Sequence, residues 1–308
     1  GIQNLREKID GDYFKANFNV DKDDVDLIET WENSIEATPD VYLSYKDSLQ
    51  LINLNDPTSF AFIDKHIDVQ KYINYLVTEI YYTNTDWPGN NIKFWRQRST
   101  NGKFRWILWD LDFGFGFYGV SYSTHPTLNF VTEPNSGVGW PNPDWSTLHI
   151  RSVLQNPVFR TRFIQTMLTA ISATFKPSRV IDVIDSFQTR IAAEMPYHKQ
   201  RWGGNIGDWN YEVQRMRDFA IERNPYMIQH TADFFGLNER VSISVGANPS
   251  SASAFNFNGV TTNEVDVTYF KGVPYDLKPM VKRGFAFKEW KITKRESIQL
   301  LIISKGDT

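Results

Sequence analysis

Asp86, Asn90, Asn91, Asp110 and Asp112 are hard oxygen donors of the kind that hold a hydrated divalent cation beside phosphates. All five lie in one stretch, DWPGNNIKFWRQRSTNGKFRWILWDLDFGFG, which runs from Asp86 to Gly116. Phosphoryl transfer from ATP asks for a carboxylate that orients or deprotonates the acceptor hydroxyl. It also asks for an amide and a further carboxylate that hold the bridging metals. In protein kinases the base Asp is followed by four residues and then the metal-binding Asn, with the metal-binding Asp further on. Here Asn91 stands five after Asp86, a hairpin pattern follows, and Asp110 stands at its end. Order, spacing and intervening pattern agree, so a nucleotide-and-metal site is the leading reading. Blander readings stay open for single residues. Asp86 suits a turn before Pro88, and Asn90 and Asn91 suit backbone caps in a tight loop. The pair Asp110 and Asp112, beside Trp109 and Phe113, is harder to explain structurally, because burying such charges without a cation is costly.

The elements that must position these residues are readable around them. Val69, Tyr72, Ile73, Leu76, Val77, Ile80 and Tyr81 recur at helical spacing and predict a helix over 68–82, capped by Asp68. That helix delivers Asp86 onto a loop which Pro88-Gly89 keeps from becoming helix again. Residues 92–98 and 103–109 predict two strands joined through Ser99-Thr100-Asn101-Gly102, with the second strand ending at Asp110. Lys93, Arg96 and Arg98 read as a solvated strand face. Trp87, Trp95, Trp106 and Trp109 read as core and hairpin packing. The Pro- and Gly-rich region 117–147 reads as a long surface loop, placed where a lid or substrate-binding segment belongs.

Upstream, GIQNLREKID alternates like a strand that ends in a turn at Asp10-Gly11. Asp21, Asp23, Asp24 and Asp26 lack calcium-loop spacing and read as a solvated helix start. Downstream, helices are expected over 148–175 with a break at Asn156-Pro157, after Pro177, over 211–223, and again from Pro225. Beyond Gly236-Leu237-Asn238 the segments VSISV, FNFNG, EVDVTYF and GFAFKEW predict strands, which places a domain boundary near 238.

Composition narrows the classes. The 308 residues, 41% hydrophobic and 15% aromatic, suffice for one large domain or one with a small companion. A net charge of -3 argues against a nucleic-acid polymer as partner. The absence of cysteine excludes disulfides, a thiol nucleophile and Cys-ligated metal. No apolar run approaches transmembrane length, and the start at Gly1 without Met reads as a processed or trimmed chain, from which an export signal could have been removed. None of the five histidines falls in a metal-ligand spacing. Two motif matches mislead. Asp112-Phe113-Gly114 spells the kinase DFG, yet the hairpin favours Asp110; and the GxGxxG at 114–119 has no helix to open behind it.

The run NTDWPGNN…W…GKFRWILWDLDFGFG, preceded by GIQNLREKID and IDVQKYINYLV, resembles the CotH family of atypical secreted bacterial protein kinases, the spore-coat protein H-like kinases. The resemblance covers roughly residues 1–235 and is most specific in DWxxNN and WDLDxxFG. It implies an α+β fold: a kinase-like core over 1–238, mainly the helical lobe with a β-hairpin, then a small all-β domain over 239–308. It implies Asp86 as catalytic base, Asn91 as a metal ligand with Asn90 beside it, Asp110 as principal metal ligand, and Asp112 as a second acidic partner. The implied cofactors are ATP with Mg²⁺ or Mn²⁺, and the implied partner is a secreted or surface protein with Ser/Thr-rich segments. The location would be extracellular, cell-surface or periplasmic. The family normally has more chain before GIQNLREK, so the amino-terminal lobe is expected to be incomplete, and neither Lys8 nor Glu7 on the opening strand is assigned as its phosphate anchor. The tail, with Gly272 and Gly284 to Trp290, resembles small β modules of bacterial surface proteins, and LLII implies a native chain continuing past Thr308. Two other functions fit the residues. One is a metal-dependent glycosyltransferase using Asp110-Leu111-Asp112 as a DxD motif, and the other a surface binding protein on a decayed scaffold. Oligomeric state is not indicated.

Overall fold

The computed structural model describes residues 2–3, 5–29, 33–36, 39–99, 101–117, 120–137, 139–250, 253–294 and 297–304. The chain is α+β and divides into two compact units, 1–160 with 181–223, and 161–180 with 224–308. In chain order the elements before the acidic motif are α1 (Gly11–Phe18), β1 (Val25–Glu29), β2 (Asn33–Glu36), α2 (Asp40–Leu51), α3 (Phe60–His66), α4 (Val69–Tyr81), β3 (Lys93–Gln97) and β4 (Arg105–Ile107). After it come α5 (Thr127–Phe130), α6 (Asp144–Val153), α7 (Pro157–Ser172), α8 (Pro177–Ile191), α9 (Met195–Trp202) and α10 (Ile206–Phe235).

In the first unit α4 is the central support. Val69, Tyr72, Ile73, Leu76, Val77, Ile80 and Tyr81 are all buried, as their spacing predicts. Asp68 caps the helix by accepting the Lys71 backbone N–H at 3.4 Å. The predicted hairpin forms, pairing Lys93 with Ile107, Phe94 with Trp106 and Trp95 with Arg105. It belongs to a four-stranded sheet ordered β2-β1-β3-β4. Trp106 packs against Tyr72 and stacks on His149, at ring separations of 4.1 and 5.2 Å. His149 is buried and bridges the hydroxyls of Tyr45 at 3.0 Å and Tyr72 at 2.9 Å. Because a cation there would lose its hydration, burial pulls the His149 pKa down to about 3.

Several local expectations are corrected. No strand forms among the described residues of the opening ten; its alternation has no partner strand, and Asp10 instead caps α1 through the Asp12 and Tyr13 N–H groups. The acidic run opens a single 3₁₀ turn and then β1, and its last member, Asp26, is buried. Asp26 accepts from Arg96 at 2.7 Å and Arg98 at 2.8 Å, so these two arginines are not a free solvated face. β1 lies antiparallel beside β3 and supplies that partner. The second hairpin strand ends at Ile107, three residues before Asp110. α10 runs unbroken through Pro225 rather than dividing there.

The second unit contains β5 (Arg240–Asn248), β6 (Ser253–Phe257), β7 (Val260–Thr262), β8 (Glu264–Phe270), β9 (Leu277–Val281), β10 (Phe285–Lys294) and β11 (Ser297–Ser304). They form two sheets, ordered β10-β11-β5-β8 and β7-β6-β9. Phe255, Phe257, Val265, Val267 and Tyr269 point inward by strand alternation and pack with Leu168 and Ala232 from the helical segments of the same unit.

Candidate active site

The loop carrying Asp86 hangs from the end of α4, and a chain of side chains fixes its path. Glu79, on the last turn of α4, is fully buried and its Oε2 accepts the Asn84 side-chain N–H at 2.9 Å. The Asn84 oxygen in turn accepts the Asp86 backbone N–H at 3.1 Å. Burial pushes the Glu79 pKa up to about 8, with Asn84 opposing that shift, so this carboxyl is protonated at neutral pH.

Opposite signs of titration follow for Glu79 and His149. Below its ordinary value of 6.5 the unfolded imidazole takes a proton that the folded one refuses until about 3, so stability from His149 is lost as pH falls through that window. The unfolded Glu79 ionises above 4.5 and the folded one only near 8, so its stabilisation is lost as pH rises. From these two groups, stability is expected to rise from about pH 3 to 4.5, stay level to about 6.5, and fall toward 8. Each contributes on the order of 1.4 kcal/mol per pH unit. Urea unfolding across pH checks this; in Glu79→Gln the decline above pH 6.5 should vanish.

The Asp86 carboxylate accepts from three side chains. Oδ2 accepts the side-chain N–H groups of Asn90 at 3.1 Å and Asn91 at 2.9 Å. Oδ1 accepts the indole N–H of Trp140 at 2.6 Å. A carboxylate has no proton to give, so the amide nitrogen of Asn91 must be the end that faces Asp86, which turns its Oδ1 elsewhere. Asn91 is buried, with a left-handed φ of 53°, and its carbonyl accepts the Trp109 indole N–H at 3.0 Å. Thus Asn91 and the residue preceding Asp110 are tied together. The loop bearing Trp140 is close because residue 89 has no side chain. Gly89 N–H donates to Pro141 O at 2.7 Å, and a Cβ on Gly89 would stand 2.4 Å from that oxygen.

Asp110 sits beyond the strand, half-buried, in a left-handed conformation with φ 55°. Arg6 approaches its Oδ1 at 3.9 Å. Asp112 is exposed and is not joined to Asp86 or the amides by any contact among the described residues. No group of three or more His, Cys, Asp or Glu is arranged to hold a metal among the described residues. The donor set still fits a nucleotide-borne Mg²⁺ or Mn²⁺, because such an ion draws most of its ligands from phosphates and water and needs only one or two protein oxygens. Asn91 Oδ1 and the Asp110 carboxylate are oxygens of that kind. Lys8 and Glu7 serve elsewhere, pairing with Asp10 at 3.2 Å and Asn17 at 3.1 Å. Lys93 is not solvated as expected: only 12% of its side chain is exposed, it pairs with Glu29 at 3.0 Å, and it lies 4.0 Å over the Trp109 ring.

Sequence reasoning missed the arginines of α10. Arg223 is completely buried and donates to the carbonyls of Ile80, Tyr81, Ser123 and His125 and to the Thr127 hydroxyl, at 2.7–3.0 Å. It joins the carbonyl end of α4, where a cation is favoured, to the segment following the acidic motif. Burial brings its pKa down to about 9, which leaves it cationic at neutral pH. Arg215, two turns earlier on α10, holds the carbonyls of Gly116 and Phe117. The only sequence signal was the spacing of Arg215, Phe219 and Arg223 on one helical face.

Comparison with known proteins bears on the whole unit. A family model described as CotH kinase protein matches residues 1–227. No curated protein and no solved structure matches the chain.

Proposed function

The chain belongs to the CotH kinase family, and from that premise we propose that it transfers the γ-phosphoryl group of ATP to Ser or Thr hydroxyls of secreted or surface proteins. The observation that carries this reading is the Asp86 carboxylate locked by Asn90 and Asn91, with the Asn91 oxygen turned away from it. Asp86 orients the acceptor hydroxyl and takes its proton. Asn91 Oδ1 and the Asp110 carboxylate would hold Mg²⁺ or Mn²⁺, with Asp112 as a second acidic partner. The metal, when bound, supplies neutralisation of charge on the phosphates. Trp109 keeps the amide and carboxylate ligands in register through its bond to the Asn91 carbonyl. No helix among the described residues is long and apolar enough to cross a membrane. The proposed location is outside the cytoplasm.

Thermal unfolding with nucleotide tests the site independently of turnover. ATP with Mg²⁺ or Mn²⁺ at about a hundred times its Kd should stabilise the wild type by roughly 2.7 kcal/mol, a rise of several degrees. ATP without metal should do little, and Asp110→Ala should remove the effect. A rise with UDP-glucose in place of ATP would turn the reading toward glycosyl transfer.

A further inference from the structure

Resting on the phosphotransferase reading above, we propose that Asp86 Oδ1 is the seat of the acceptor hydroxyl. On this view Trp140 guards the seat, its indole N–H holding that oxygen until a hydroxyl-bearing peptide replaces it. The two oxygens of Asp86 are engaged differently. Oδ2 is held by amides four and five residues along its own loop, so those bonds come with the local chain path. Oδ1 receives a single donor from a residue 54 positions away.

Trp140 is attached by that bond rather than by burial. The residue is 53% exposed, although a side chain this large ordinarily covers most of its apolar surface. The backbone beside it is anchored. Pro141 O accepts the Gly89 N–H at 2.7 Å, and the buried Asn142 donates to Phe130 O at 2.7 Å. Release is therefore a rotation of one exposed side chain over a fixed backbone, which costs little packing.

An indole N–H satisfies a carboxylate but has no oxygen to offer to phosphorus. A serine hydroxyl donates to the same lone pair and still presents its oxygen. In the completed step, the hydroxyl proton passes to Asp86 Oδ1 and the acceptor oxygen forms a bond to the γ-phosphorus. The bond from that phosphorus to the bridging oxygen breaks, and ADP leaves with its electron pair. A water molecule on that same lone pair would likewise have to displace the indole, so on this view Trp140 lowers acceptor-free ATP hydrolysis.

The test combines NMR of ¹⁵N-labelled indoles with kinetics. Trp140 is one of ten tryptophans, and its signal is identified by its loss in Trp140→Phe. Asp86→Asn should shift that signal toward the unbonded position. A serine-rich peptide should do the same in the wild type, and its serine-to-alanine counterpart should not. Trp140→Phe should raise acceptor-free ATP hydrolysis roughly tenfold, the scale expected for removing one charge-assisted hydrogen bond, and lower the acceptor KM. An indole signal unmoved by the serine peptide, with slower transfer at unchanged KM in Trp140→Phe, overturns the proposal and makes Trp140 a mere brace for Asp86. A peptide-induced shift with no transfer to any acceptor keeps the hydroxyl seat and sinks the phosphotransferase reading. Neither shift nor transfer overturns both.

Discussion

Asp86→Asn is expected to lower phosphoryl transfer by roughly 10²- to 10⁴-fold, the span attributed to a positioned general base, while the protein stays folded. The asparagine oxygen can still accept from Asn90 and Asn91. Its other end then presents an N–H to the Trp140 indole N–H, two donors facing one another, and the alternative flip sets that conflict against both amides. The variant thus keeps the loop and loses both the proton acceptor and the Trp140 contact. Transfer rates with saturating nucleotide, together with a melting curve within a few degrees of wild type, check the prediction. A rate within threefold of wild type would show that Asp86 is a turn residue and no base.

Arg223→Met is expected to be the most destabilising single change in the first unit. It removes one donor group shared by five acceptors at the end of α4 and in the segment 123–127. Methionine fills much of the volume, so the loss comes from buried carbonyls left without that donor, each costing about 1–3 kcal/mol. The uncharged side chain recovers part of this, since a buried cation carries its own desolvation cost. The net is expected at about 3–5 kcal/mol, a large fraction of the 5–15 kcal/mol typical of a folded domain. Denaturant unfolding measures it, and Arg223→Lys, with a charge but fewer donors and no planar fork, should fall between. A change below about 1 kcal/mol would mean that the segment repacks without its clamp.

The two variants differ in what the sequence allowed. α4 was readable because seven apolar or aromatic residues repeat on a helical face, and that periodicity survives any tertiary context. The hairpin was readable from two alternating segments around an Asn-Gly turn. β1 was not, because what makes it a strand is its pairing with β3 some seventy residues on, and its sequence opens in a run of acids. The opening ten residues erred the other way, since alternation without a partner forms no strand. Pro225 suggested a break, but α10 continues through it. Within the site, Asp86 and the amide pair are local and their residue types and spacing stood out, but the bonds between them did not. The Trp140 bond and the Arg223 clamp join residues far apart in the chain, and a lone Trp in a Pro-rich loop or a lone Arg on a helix carries no mark of its partner.

The most direct test is incubation of the wild-type chain and Asp86→Asn with ATP, Mg²⁺ or Mn²⁺, and a serine-rich peptide, followed by mass spectrometric detection of phosphoserine. The site described here predicts phosphoserine formed by the wild type, dependent on metal, and nearly absent with Asp86→Asn. Equal phosphorylation by both proteins, or none by the wild type under conditions where ATP and metal raise its melting temperature, would contradict it.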